Sequence, residues 1–126
     1  MPKIAIIDDD PDIVEATTML LESKGYSTVS AGNVEDAMTL VEKELPDLII
    51  LDVMMVEPDD GFYLANKLRK IGFKMPIIML TSVSKAFGFD FNNPESLPIQ
   101  DFLEKPIPPA DLLKKVVYHL AHSKEV

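Results

Sequence analysis

Asp8 and Asp9 follow the apolar run Ile4-Ala5-Ile6-Ile7, and Asp52 follows Leu48-Ile49-Ile50-Leu51. A third run, Ile77-Ile78-Met79-Leu80, ends at Thr81, and a weaker one around Phe102 and Leu103 ends at Lys105, just before Pro106. Short apolar runs that stop at a polar group read as buried parallel strands handing that group to their carboxyl ends, where open α/β sheets place their sites. If the four strands lie side by side, three carboxylates, one hydroxyl and one ammonium meet at a single rim. Mg²⁺ suits such a rim, because it takes octahedral oxygen ligation and removes the repulsion that would otherwise protonate one or more of the acids. The chemistry implied is phosphoryl transfer. Asp52 attacks the phosphorus of a donor, Lys105 and the metal neutralise charge on the equatorial oxygens, and Thr81 donates its hydroxyl to one of them. The product is an acyl phosphate on Asp52.

The elements that must position these groups follow from the pattern, in which strand and helix alternate five times. Asp10-Pro11 makes a cap and first-turn pair for a helix over about Asp12 to Lys24, closed by Gly25. A strand over Tyr26 to Ala31 follows, then a second helix, capped by Asn33, over about Val34 to Lys43. A third helix is expected over Phe62 to Ile71, Pro76 opens the fourth strand, and the last helix runs from Pro109 to His122. Its apolar stripe is Leu112, Leu113, Val116, Val117 and Leu120. His119 and His122 read as solvent-facing, with no acid nearby in sequence. The strands that end at Asp8, Asp52 and Thr81 are almost wholly apolar, whereas Tyr26–Ala31 and Ile99–Phe102 are mixed, as edges are. Right-handed crossovers then give a doubly wound five-stranded parallel sheet of order 2-1-3-4-5, a flavodoxin-like (βα)5 fold whose switch point lies beside the three acids.

With 126 residues the chain forms one domain, residues 1–126. The net charge of −9 disfavours direct contact with nucleic acid, which is bound largely through cations. No apolar run is long enough to span a bilayer, and no basic-then-apolar leader is visible, so neither membrane insertion nor export is expected. The absence of cysteine rules out a disulfide framework and permits a reducing cytoplasm, the expected location.

The segments Ile6-Ile7-Asp8-Asp9-Asp10-Pro11-Asp12, Asp52-Val53-Met54-Met55, Leu80-Thr81-Ser82 and Phe102-Leu103-Glu104-Lys105-Pro106 together resemble a receiver domain of a two-component response regulator. The resemblance covers essentially the whole chain. It implies that Asp52 accepts a phosphoryl group from a histidine kinase or phosphotransfer protein. It also implies an acidic pair, Asp8 and Asp9, with Asp9 a direct Mg²⁺ ligand and the backbone carbonyl of Met54 completing the set. Thr81 and Phe102 match the family's switch positions, Ser82 the small residue beside the phosphoryl group, and a cis bond is implied before Pro106. Such a domain is no enzyme in the ordinary sense: it assists its own phosphorylation and dephosphorylation, and signals to a downstream target or output domain. Ile13, Thr17 and the stretch from Pro106 to Pro108 are candidates for kinase docking.

Two stretches depart from the family. Val56 stands where proline is usual, and Glu57-Pro58-Asp59-Asp60 displaces Gly61 by one position. Between Thr81 and Ile99, the breaks at Gly88, Pro94 and Pro98 predict an irregular fourth-helix region. Phe87, Phe89 and Phe91 there form either a recognition patch or an anchor on the sheet. Met54 and Val83 match positions that, in the family the chain resembles, flank the route of the attacking water, and both are apolar, which predicts slow self-dephosphorylation. Competing readings are weaker. A calcium loop opening at Asp8 meets Ile13 where glycine is needed, and a dehalogenase-type phosphatase wants an acid where Met54 stands. A flavin site needs a Ser/Thr/Gly-rich loop where Asp8-Asp9-Asp10 would repel phosphate. A pseudo-receiver acting only as a binding platform usually lacks acceptor or metal ligands, all present here.

Overall fold

The computed structural model describes residues 2–52, 60–81, 99–105 and 107–122. In chain order the elements are β1 (Lys3–Ile7), α1 (Pro11–Glu22), β2 (Ser27–Ala31), α2 (Val34–Glu44), β3 (Leu48–Asp52), α3 (Asp60–Ile71), β4 (Ile77–Thr81), β5 (Asp101–Glu104) and α4 (Pro109–His122). All strand pairs are parallel, and the sheet order is β2-β1-β3-β4-β5. The expected topology is therefore present. The irregular fourth-helix region, the phenylalanines at 87, 89 and 91, and Val83 fall outside the described residues.

Period-two alternation divides each central strand between two cores. Ala5, Ile7, Ile49, Leu51, Ile77 and Met79 face the side covered by α2 and α3, where Ala37, Val41, Leu64 and Leu68 are buried. Ile4, Ile6, Leu48, Ile50, Ile78 and Leu80 face the other side, with Leu21 of α1 and Leu112 and Val116 of α4. A strand sandwiched between two helical layers must be apolar on both faces, which is why these runs carry no internal polar residue. At roughly 1.5–3 kcal/mol for each fully buried Ile or Leu, the two cores dominate the gain on folding.

Local chemistry sets the helix boundaries. The Asp10 side chain caps α1 by accepting from the Asp12 amide at 2.9 Å, with Pro11 in the first turn, and Asn33 caps α2 by accepting from Asp36 at 2.8 Å. After α1 the chain reverses through Gly25 at φ +90°, and after α2 through Leu45 at φ +48°, a left-handed conformation unusual for leucine. α3 begins at Asp60, two residues before the expected start, and β2 at Ser27 rather than Tyr26.

The entry to β5 is held by a guanidinium. Arg69, at the end of α3, donates to the carbonyls of Phe73 and Met75, each at 2.9 Å, and to Gln100 Oε1 at 2.7 Å. Gln100 Oε1 accepts from the Ile77 amide as well, so one side chain ties α3, β4 and the approach to β5 together.

α4 corrects two expectations. Val117 is 55% exposed, so the buried stripe is Leu112, Val116 and His119, flanked by Leu113 and Leu120. His119 is not solvent-facing: its Nε2 lies 3.0 Å from Asp101 Oδ2, and a carboxylate can only accept, so the ring donates from Nε2. Lys115 Nζ reaches the same oxygen at 2.8 Å, while Asp101 Oδ1 accepts from the Phe102 amide. The partner acid is 18 residues away in sequence and adjacent only through the β5–α4 packing. His122 is exposed, as expected, and stacks on Tyr118 with ring centroids 4.0 Å apart.

Burial alone would raise the Asp101 pKa, but the hydrogen bonds from Lys115 and His119 outweigh it and hold the carboxyl below the ordinary aspartate value of 3.8. A depressed acid contributes stability that is complete above its unfolded value and is lost as pH falls through the folded one. Chemical denaturation at a series of pH values is expected to show the wild type losing its advantage over Asp101→Asn as pH drops below 3.8. A constant gap between the two proteins from pH 7 into that range would contradict it.

Candidate functional site

The alternation that builds the two cores also decides which polar groups meet. Asp8 continues the series Ile4, Ile6, and Asp52 continues Leu48, Ile50, so both acids point to the α1/α4 side of the rim. Ile7 pairs with Leu51 and Asp52 with Leu80, which brings the ends of β1, β3 and β4 level. Lys105 has the same parity as Leu103, which also packs on the α1/α4 side, and it reaches the acids from just beyond β5. A shift of one residue in any of these strands would turn its functional group to the opposite face.

Lys105 Nζ lies 3.2 Å from Asp52 Oδ1 and 3.6 Å from Asp8 Oδ2. Asp8 and Asp52 are nearly inaccessible, whereas Asp9 is exposed at the mouth. One carboxylate oxygen from each of Asp8, Asp9 and Asp52 falls within 4.8 Å of the other two. Asp8 Oδ1 accepts from the Asp10 amide at 2.9 Å, but its Oδ2 is buried without a hydrogen-bond partner. Burial raises the Asp8 pKa, and the Asp10 amide and the Lys105 charge only partly oppose this, while Asp9 and Asp10 add repulsion.

These features fit a hard divalent cation. Three oxygen donors converge, one of them buried without a hydrogen-bond partner, and among the described residues Lys105 reaches two of the three carboxylates. Asp8, Asp9 and Asp52 are the residues that would hold it. The Met54 carbonyl, expected to complete the set, lies outside the described residues, as do Ser82 and Pro106. Thr81 ends β4 opposite Glu104, but its side chain is outside the described part. Phe102 is half-buried and packs toward the α2/α3 core, on the face opposite Lys105.

Beside the acids lies a cavity of about 540 Å³ between α1 and α4. Among the described residues its walls include Ile13, Ala16 and Thr17 of α1, with Lys105 at the edge it shares with the acids. Ile13 and Thr17 were marked by sequence for their closeness to the acids. Ile107 falls within the marked stretch from Pro106 to Pro108, whereas Ala16 and Leu112 were not marked, since helical periodicity places Leu112 only on a generic apolar stripe. The Asp101–Lys115–His119 cluster was also missed, although the i, i+4 spacing of Lys115 and His119 on one helical face was the available signal.

The comparisons with known proteins agree with this geometry. The family model described as response regulator receiver domain matches residues 4–117. An uncharacterised 14.6 kDa protein of Leptolyngbya boryana is 35% identical over 121 residues, which span 90% of this chain and 86% of that protein. The alkaline phosphatase synthesis transcriptional regulatory protein PhoP of Bacillus subtilis is 35% identical over 122 residues, 97% of this chain and 50% of the relative, so the chain spans about half that regulator's length. In structure, a two-component response regulator from Clostridium difficile superposes with a TM-score of 0.86 at 30% identity, covering 98% of this chain and 99% of the other.

Because burial raises the Asp8 pKa, its ionised form weakens the metal-free fold, and the penalty is absent below pH 3.8 and grows as pH rises through the folded value. Asp8→Asn is expected to stabilise the metal-free protein at neutral pH by about 1 kcal/mol, the scale of one unsatisfied buried polar group. Mg²⁺ should raise the melting temperature of the wild type but not of the variant. Equal Mg²⁺ shifts in the two would remove Asp8 from the metal site.

Proposed function

The chain belongs to the response regulator receiver domain family, and from that membership we propose that it is a phosphorylatable switch in which Asp52 accepts a phosphoryl group from a histidine kinase or phosphotransfer protein. The observation that carries the reading is the meeting of Asp52 with Lys105 at 3.2 Å inside an oxygen-rich cluster that suits a cation.

For Asp8, Asp9, Asp52 and Lys105 the described surroundings support a task, and Thr81 takes its task from the family's pattern. Asp52 is the nucleophile: one oxygen forms the new bond to phosphorus as the donor's phosphorus bond breaks, and the leaving group departs with the electron pair. Lys105, tethered beside Asp52, neutralises charge on the phosphoryl oxygens in the transition state and afterwards. Asp8, Asp9 and Asp52 would hold Mg²⁺, which would supply charge neutralisation at the oxygens of the transferring group. Thr81 donates its hydroxyl to the phosphorylated acid, and that pull, with repacking of Phe102, biases the surface read by a downstream target. Phe102 follows Asp101 directly, and Asp101 is fastened to α4 through Lys115 and His119, so movement at Phe102 has a path to that helix.

Among the described residues no helix is long and apolar enough to cross a membrane. A cytoplasmic signalling role facing a kinase is part of this proposal and follows from the family. No observation favours a pseudo-receiver, since acceptor, acidic pair and lysine are all present.

Intact-mass measurement after incubation with acetyl phosphate tests the reading. A single phosphoryl adduct is expected on the wild type with Mg²⁺, and none with chelator or on Asp52→Asn. An adduct that persists on the folded Asp52→Asn protein would place the acceptor elsewhere.

A further inference from the structure

The cavity between α1 and α4, whose Ile13, Thr17 and Ile107 the sequence marks only as docking candidates, adjoins the reacting groups through Lys105. Its edge is Lys105, whose Nζ touches Asp52, and its floor includes Leu80, the register partner of Asp52 in β4. It lies on the α1/α4 face, the side to which the parity of β1 and β3 directs Asp8 and Asp52. Ile13, Ala16, Leu80, Ile107 and Leu112 make the lining apolar. Polar groups enter from only two of the described lining residues, Thr17 and Lys105.

Apolar walls with one cation at a single edge suit a particular shape of molecule. A flat, largely uncharged ring would bury its faces against Ile13, Leu80 and Leu112 while an attached oxygen or nitrogen stayed near the ammonium. A small polar group such as acetate would bury almost no apolar surface there and would leave the walls to water.

We propose that this cavity receives the leaving group of the phosphoryl donor and selects donors whose leaving group is a flat apolar ring over those whose leaving group is small and polar. The inference rests on Asp52 being the acceptor and adds a specificity determinant to that reading. In the step concerned, an Asp52 carboxylate oxygen forms a bond to phosphorus while the bond from phosphorus to the acyl oxygen of the donor breaks. The leaving carboxylate departs with the bonding pair beside Lys105, and neither a proton nor a redox partner is needed.

The test compares benzoyl phosphate with acetyl phosphate, which share the acyl phosphate bond and differ in phenyl against methyl. The second-order rate of adduct formation on the full chain with Mg²⁺ is read by intact mass, for the wild type and for Ala16→Phe. Ala16 is solvent-exposed at the cavity wall, so a ring added there fills the cavity without entering either core. The wild type is expected to favour benzoyl phosphate by about tenfold, the effect of seating one ring in an apolar site, and the ratio should fall toward one in the variant. A ratio that is the same in both proteins overturns the inference while leaving Asp52 as acceptor. Absence of an adduct from either donor on folded protein overturns both.

Should Ala16→Phe misfold, competition on the wild type decides. Benzoate is expected to slow labelling by acetyl phosphate and to shift the backbone amide resonances of Ile13, Ala16 and Leu112, while acetate at the same concentration does neither. Equal behaviour of the two carboxylates would reduce the effect to charge at Lys105 and reject a ring site.

Discussion

Carboxylates repel, and this molecule brings three of them to one rim, where among the described residues Lys105 reaches Asp8 and Asp52. In an effective dielectric of ~20, two unit charges 4 Å apart interact by about 4 kcal/mol, a large fraction of a small domain's stability. The repulsion is tolerated because the strands that deliver the acids are anchored on both faces by apolar cores that leave them no freedom to separate. The site is thus strained electrostatically and rigid mechanically, a condition in which added cationic charge or a phosphoryl group changes the balance without first reorganising the backbone.

The parity of the strands is the link between core and site. Each central strand alternates between two helical layers, so placing Ile4, Ile6, Leu48 and Ile50 against α1 and α4 also fixes the side on which Asp8 and Asp52 emerge. Lys105 arrives on that side through Leu103, whereas Phe102 is turned the other way, into the α2/α3 layer. The lysine that meets the acids and the aromatic ring suited to relay a signal thus sit on opposite faces of one short edge strand. Asp101, next to both in sequence, fastens that strand to α4 by accepting from Lys115 and His119 and capping the Phe102 amide with its other oxygen. Displacement of β5 is therefore felt by the helix.

The edge also explains why the anchoring of β5 is polar. β5 is four residues long and, among the described residues, pairs with β4 alone, so it has little apolar area of its own with which to resist fraying. Arg69 and Gln100 hold its entry, and the Asp101 cluster holds its body, through hydrogen bonds and an ion pair.

The sheet order, the central strands, the caps at Asp10 and Asn33 and the candidate acids were legible in the sequence because each rests on interactions between near neighbours in the chain. Apolar periodicity marks burial, an acid or amide before a helix satisfies its free amides, and a polar residue after an apolar run marks a strand end. His119 and Val117 were misjudged for the opposite reason: helical periodicity locates a stripe, but its exact centre depends on what the facing strand offers, and Asp101 drew His119 inward while Val117 stayed outside. The cavity beside Lys105 was equally invisible, since its walls come from α1, β4 and α4 and exist only where those elements fail to touch. Sequence determined which groups could do chemistry and at which end of the sheet. Tertiary packing alone decided the distances between them, the orphaned oxygen of Asp8 and the shape of the space beside them, because those depend on contacts between residues far apart in the chain.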